Sequence, residues 1–384
     1  MPSRTHRVTT KVLLAGILGI SLIALNIAEL RGQALDHALR IAGEGNGYFL
    51  TRITKALFTP TGGLLLQDAV ENSLLEFNSK GTFIRRIGRE GGGPGEFKGI
   101  NRVGYLADTL WIQDYQLRRV SWFANGELVR VETVEAEESG LPLLPATFLV
   151  NGLMVIILPA GGRIIVDVAL RDGTRIEHLG DFHTAPIRRR IPFERDRDGV
   201  LNAVNPLADH AISAAAGDGS GIALVERPRP DNPDSAQYTV VAYRDGRRIA
   251  KTFPYVPKPL QSYEREKLDG VIDSYHEQIG KIAGWRHSEI EDAFLAAFGD
   301  ARFAVPVYDA LMTAKGDVWL SVSIDENGRI WNVLDANLNE KFRVRFGPEE
   351  RVLAASEDRV VVLTTDEYNV PSVSVYLINP AGGS

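Results

Sequence analysis

The sequence predicts an all-β fold, a six-bladed β-propeller with a small helical insertion between blades four and five. Three observations predict it. First, a phrase of apolar strand, polar turn, apolar strand ending in a large residue, Gly/Asn/Asp turn and third strand recurs along the chain. Its copies begin at Gly63, Asp108, Gly152, Gly221, Gly316 and Asp358. Second, the large residues before the second turns, Phe77, Phe123, Leu170, Tyr243, Leu334 and Tyr376, lie 46, 47, 73, 91 and 42 residues apart. The two long intervals hold a polar stretch, His183 to Leu207, and a helical stretch, Pro257 to Ala301. Without them every interval falls within the roughly 40–50 residues of a four-stranded blade. Third, the strands alternate with period two: Leu64 and Leu66 face one way, Leu65 and Gln67 the other.

Taken in order, residues 1–34 read as a signal peptide. Arg4, Arg7 and Lys11 precede an apolar run, Val12 to Ala28, and Gly32 and Ala34 supply the small residues of a cleavage site. The rival is an uncleaved anchor, since the run approaches the length that spans a bilayer. Residues 35–384 form the propeller. The innermost strand of each blade precedes the quoted copy, as in Ile53 to Phe58, Ile100 to Leu106 and Val305 to Met312. Asn78-Ser79-Lys80-Gly81, Ala124-Asn125-Gly126-Glu127, Arg171-Asp172-Gly173-Thr174 and Arg244-Asp245-Gly246-Arg247 are hairpin loops able to take positive φ. The sixth copy lacks its outer strand. His37 to Gly43, HALRIAG, resembles the outer strand TFIRRIG, Thr82 to Gly88, and is expected to complete that blade and close the ring.

The insertion, residues 257–301, has helical grammar. Leu268, Val271, Ile272, Tyr275 and Ile279 share one helix face, and a second helix is expected to start at a Ser288/Glu291 capping box and end at Gly299.

Composition limits function. The 384 residues carry a formal charge of -6 and no cysteine. Disulfides, thiolate catalysis, Cys-ligated metals and a lipoprotein anchor are excluded. No basic run exists to neutralise a row of phosphates, so nucleic acid is not an expected partner. Loss of residues 1–34 removes four Lys/Arg and one Glu and leaves an acidic chain of formal charge -9. A periplasmic or secreted monomer is expected, membrane-bound only if the anchor stays uncleaved.

Ile87 to Phe97, IGREGGGPGEF, followed by an inner strand and DTLWIQDYQLRRVSWF from Asp108, resembles exported bacterial six-bladed β-propeller proteins related to NHL-repeat proteins. The likeness extends through the interrupted fourth blade, the helical insertion and the closing DEYNVPSVSVYLI. It implies the fold and export. It implies no activity, because propellers host binding scaffolds, lactonases and lyases alike.

Individual motifs supply no complete catalytic set. Gly91 to Gly95 lacks the Lys-Ser/Thr and helix of a phosphate loop. His276-Glu277 begins an HExxH pattern whose last position is Gly280. Glu194, Asp196, Asp198 and Gly199 have the spacing of a calcium loop, but the twelfth position is Asn205 rather than an acid. Calcium is thus the one cofactor considered, and none is predicted. The remaining mature histidines are scattered along the chain, and a metal site would have to assemble them from different blades. Trp111, Trp122, Trp319 and Trp331 sit on strands and are expected in the sheet core. The candidate surface for an unknown protein or small-molecule ligand is the set of turn residues Asp68, Asn72, Glu96, Asp114, Tyr115 and Arg118; turn capping accounts for the same residue types. Two classes therefore stay open: a binding or interaction scaffold, which is favoured, and a metal-dependent lactonase-like hydrolase or lyase using carboxylates at the channel centre.

The leader reading is checked by intact mass after expression in a Gram-negative host. The chain should start at Leu35. Retention of Met1 in the membrane fraction would establish the anchor instead.

Overall fold

A computed structural model describes residues 35–378, apart from 135–142, 161, 185–187, 194–198, 231, 281–283 and 299–300. The leader, the carboxylates of the calcium-like loop and the end of the second helix at Gly299 lie outside the described residues. Six four-stranded antiparallel sheets are arranged as a six-bladed β-propeller. Blade one runs outward through Ile53–Phe58, Leu64–Asp68, Ser73–Phe77 and Phe83–Ile87, and blade two through Ile100–Leu106, Thr109–Asp114, Arg119–Ala124 and Glu127–Thr133. Blade three comprises Pro145–Phe148, Met154–Ala160, Arg163–Ala169 and Arg175–His183, and blade four Ile212–Ala215, Gly221–Glu226, Gln237–Arg244 and Arg247–Pro254. Blade five comprises Asp309–Met312, Val318–Asp325, Gly328–Leu334 and Glu340–Phe346. Blade six takes three strands from the end of the chain, Arg351–Ala355, Arg359–Thr365 and Pro371–Ile378, and its outer strand, Leu35–Ile41, from the beginning.

That fourth strand is the expected closure. Leu35 lies opposite Ile378 and Ile41 opposite Val373, with a bulge between His37 and Leu39. The buried apolar residues explain why the ring must close. Among the described residues they form six clusters, one between each pair of neighbouring blades, and a seventh beneath the helices. Trp111 and Trp122 fill the junction of blades two and three, and Trp319 and Trp331 that of blades five and six. All four are core residues, as their strand positions implied. Gly104 on the inner strand of blade two is required by this packing, since a Cβ there would approach the Trp111 ring within 2.8–3.0 Å.

Local differences from the sequence reading have identifiable causes. In blade three the residue equivalent to Phe77 is Ala169, paired with Met154 as Phe77 is with Leu64; Leu170 lies just beyond the strand and is exposed. A small residue suffices there because Phe148 and Trp122 occupy the same cluster. The inner strand of blade five begins at Asp309 rather than Val305, since Pro306 has no N–H to give a ladder. The polar stretch between blades three and four is not a plain loop: Arg188–Phe193 and Gly199–Val204 pair as a hairpin.

The insertion contains α1, Ser262–Tyr275, and α2, His287–Phe298. Ile272, Ile290 and Phe294 are buried against each other and against Ala203 of the hairpin, and Leu268, Val271, Tyr275 and Phe298 pack around them. The Tyr275 hydroxyl accepts the Val204 amide at 2.9 Å. The cap of α2 differs from expectation: it lies two residues earlier, at Arg286 rather than Ser288, so the Glu289 carboxylate receives the Arg286 amide at 2.9 Å and takes the capping position from Glu291. No helix among the described residues is long and apolar enough to cross a membrane.

Deleting residues 35–47 should expose the Pro371–Ile378 edge and open the junction cluster that contains Ile41. A loss of several kcal/mol, read as a lower melting temperature with aggregation, is expected. An unchanged melting temperature and a monomeric elution profile would contradict this closure.

Candidate functional site

The six turn residues singled out from sequence are brought to one end of the propeller, where the second-to-third-strand turns and the interblade connections lie. Their side chains are nonetheless used differently. Asp68 closes the second strand of blade one and is fully buried. Its carboxylate accepts the Thr51 amide at 2.8 Å, the Thr51 hydroxyl and the Val70 amide at 3.1 Å. Burial alone would raise its pKa, but these hydrogen bonds outweigh it and hold the carboxyl below its ordinary value. Asp114 repeats the arrangement in blade two, accepting the Lys98 amide at 2.7 Å and the Leu117 amide at 2.9 Å. Each aspartate thereby ties a turn to the segment entering the inner strand. Asn72 and Arg118, four residues further on, both adopt positive φ, 46° and 49°.

Glu96 organises the Gly-rich loop. It accepts the Gly93 amide at 2.8 Å and is paired with Arg89, while Arg119 donates to the carbonyls of Gly92, Gly93 and Glu96. The loop is thus folded onto its own carboxylate and a neighbouring guanidinium. The carboxylates of Asp68, Asp114 and Glu96 are engaged with the protein, whereas Tyr115, 61% exposed, faces solvent. Where blade three lacks the aspartate, its second and third strands simply run on until Ala160 faces Arg163.

The histidines are less scattered in space than along the chain. The rings of His276 and His287 lie 5.6 Å apart, and His287 Nε2 is 2.8 Å from Asp273 Oδ1. On the outer strand of blade three, His178 Nδ1 lies 2.7 Å from Asp167 Oδ1. Among the described residues, no three His, Cys, Asp or Glu side chains are grouped to hold a metal ion. Asn205, the last position of the calcium-like spacing, caps a turn by accepting the Leu207 amide at 2.9 Å.

A further candidate site is the channel, which the sequence reading left without named residues. A cavity of about 700 Å³ follows the inner strands. Its walls include Leu57, Val103, Ala146, Ala214, Ala310 and Val352, with Lys55, Arg102, Arg351, Asp309 and Ser213 among them. Backbone bulges place two of the cations. The irregularity between Ile53 and Lys55 sets Lys55 opposite Gln67, and that between Ile100 and Arg102 sets Arg102 opposite Gln113. Lys55 Nζ donates to the Asn101 carbonyl of blade two at 2.5 Å, and Arg351 donates to the Thr54 carbonyl of blade one at 3.3 Å. Arg102 instead reaches Ser213 Oγ of blade four at 2.9 Å.

The inner-strand cations thus outnumber the single described inner-strand carboxylate of the cavity, Asp309. Burial and then the Arg102 charge push the Lys55 ammonium down to about 8. Burial raises the Asp309 carboxyl above its ordinary value despite its neighbouring amide and the Arg351 charge. At the rim, Glu357 accepts the Lys315 amide at 3.0 Å and Asp218 the Ser220 amide at 3.0 Å, so both serve as turn caps. No described residue of the helical insertion lines this cavity.

Comparison with known proteins is consistent with this architecture. A family model described as a 6-bladed beta-propeller matches residues 46–104. No curated protein is similar in sequence. Among solved structures, BF0058, an exported-protein candidate from Bacteroides fragilis, is similar with a TM-score of 0.50 at 10% identity, over 90% of this chain and 95% of that one. A member of the DUF4221 family from Bacteroides vulgatus gives 0.47 at 10% identity, over 91% and 99%. XC5397 from Xanthomonas campestris, a gluconolactonase, gives 0.43 at 12% identity, over 85% and 86%.

The Lys55 environment yields a pH signature. From 10.5 to about 8, the unfolded chain binds more protons at this position than the folded one between these values, so wild-type stability should rise with pH there. Lys55→Met removes both the buried charge and the bond to the Asn101 carbonyl, and its stability relative to wild type should fall by at most about 3 kcal/mol between about pH 8 and 10. Urea unfolding at intervals across this range checks it; a constant difference between the two proteins would contradict a depressed Lys55 pKa.

Proposed function

We propose that this six-bladed propeller is an exported binding scaffold, periplasmic or secreted, that takes a small-molecule ligand in its central channel. The cavity carries the reading: about 700 Å³ of preformed space, mostly apolar, with a few convergent polar groups, which is the usual anatomy of a ligand site. Export is supported by the basic, apolar and small-residue sequence of residues 1–34. The channel is preferred over the turn face because the carboxylates of Asp68, Glu96 and Asp114 already serve the backbone.

A metal-dependent hydrolase or lyase would need several carboxylates or imidazoles converging at the channel centre. The described inner strands bring Asp309 there, surrounded by cations, which suits ligand retention better than cation coordination.

Incubation of the purified protein with a small-molecule extract of a bacterial envelope, followed by native mass spectrometry, tests the reading. Wild type should retain a compound unchanged, and Ser213→Phe, which places a ring in the channel, should lose it. Retention unaffected by Ser213→Phe, or chelator-sensitive conversion of the compound, would overturn it.

A further inference from the structure

We propose that the channel site selects small organic anions, binding a carboxylate or phosphate group between Lys55, Arg102 and Arg351 and an apolar body against the opposite wall. The inference rests on the channel-binding reading and adds the chemical class of the ligand.

The three cations come from the inner strands of three consecutive blades, six, one and two, and Arg102 extends across the channel to Ser213 of blade four. Across it stand Ala146 and Ala214, with Ser213, and Asp309 next to Ala310. Such a division suits a molecule charged at one end and apolar along its length. No described carboxylate is paired with Lys55 or Arg102. Lys55 and Arg351 are held by backbone carbonyls and Arg102 by a hydroxyl, all neutral acceptors. A guanidinium has five N–H donors and an ammonium three, so each cation keeps donors for a ligand. Thr54 also lines the cavity, and its Oγ1 is buried behind that wall with no hydrogen-bond partner among the described residues.

The low pKa of Lys55 is the free-protein counterpart of this arrangement. A partly buried cation beside the Arg102 charge is held in an unfavourable charge state, and an incoming anion relieves it. Arginine on both sides adds planar, bidentate geometry that matches carboxylate and phosphate oxygens. The other acids of the lining, Asp108, Asp218 and Glu357, lie in turns at the rim, beyond the inner strands, where Glu357 and Asp218 serve as turn caps. Asp309 lies on the inner strand of blade five, where it accepts its neighbour Ala310's amide at 2.9 Å. It is placed to receive a hydroxyl or amine of the same ligand.

Isothermal titration of the full chain with 3-phenylpropionate, phenyl phosphate and the neutral 3-phenylpropanamide tests the proposal, with folding of each variant checked by its melting curve. At least one anion should bind about tenfold or more tightly than the amide, and added salt should weaken it. Lys55→Met and Arg102→Gln should each weaken the anion by about tenfold or more, while Lys55→Arg should retain it. The order of the two anions tells carboxylate from phosphate selectivity. Equal binding of amide and anions, or an anion affinity indifferent to Lys55→Met, overturns the anion assignment. If the amide binds and Ser213→Phe abolishes that binding, channel binding stands and only the charge selectivity falls. If no probe binds wild type and no envelope compound is retained, both readings fall together.

Discussion

Each blade of this protein is a sheet with apolar side chains on both faces, and such a sheet is stable only between two neighbours. An open stack would leave its terminal blades with a bare face, whereas a ring gives every blade two. The arrangement of the core follows directly: cluster after cluster lies between sheets, with tryptophan pairs filling two of the six junctions. The demand for closure also fixes the role of Leu35–Ile41. It is half exposed and unremarkable as a sequence, yet it places Ile41 in the junction between blades six and one.

Closure brings the inner strands together around an axis, and their crowding there creates a second requirement. Inner strands of blades one, two, three and six are bulged, which turns carbonyls out of the ladder. Buried polar backbone must find partners. Gln67 donates to the Ile100 carbonyl at 2.9 Å and Gln113 to that of Pro145 at 2.8 Å, each crossing to the next blade. Lys55 and Arg351 meet the carbonyls of the bulged residues themselves. The groups that sew adjacent blades together are therefore the same groups that give the channel its sign. On the far side, Arg227 does comparable work with the carbonyls of His210 and Val307, both at 2.8 Å, but without facing the cavity.

Periodicity made the blades legible because the second and third strands carry large residues at a fixed pairing position, Phe77, Phe123, Tyr243 and Leu334. It slipped by one residue in blade three, where Ala169 holds that position and its neighbour Leu170 looked the better match. The turn aspartates were conspicuous in sequence because a carboxylate before a turn is equally a ligand and a cap; only the backbone amides of Thr51 and Lys98 distinguish the two. The channel cations were missed for the opposite reason. They lie ahead of the quoted copies, and a lone basic residue in a strand reads as surface. A signal was present nonetheless: Ile53-Thr54-Lys55 and Ile100-Asn101-Arg102 open successive inner strands with the same order, apolar, polar, basic. Strand alternation alone would misjudge such positions, since a bulge changes which face the following side chain occupies.

The pairing of Leu35 with Ile378 also sets a timetable. During synthesis the strand that seals the ring emerges first and its partner last, so it must remain unpaired while nearly the whole domain is made. Contacts of such sequence separation are slow to form, because the chain between them has to be ordered or constrained beforehand. Blades one to five can each assemble from a local run of chain, but the sixth cannot. Until then both faces at the gap stay apolar and wet, and the nascent chain has a window in which a chaperone or a second molecule can reach them. The vulnerability of this architecture is thus kinetic and brief, concentrated in the interval between the fifth blade and the last strand.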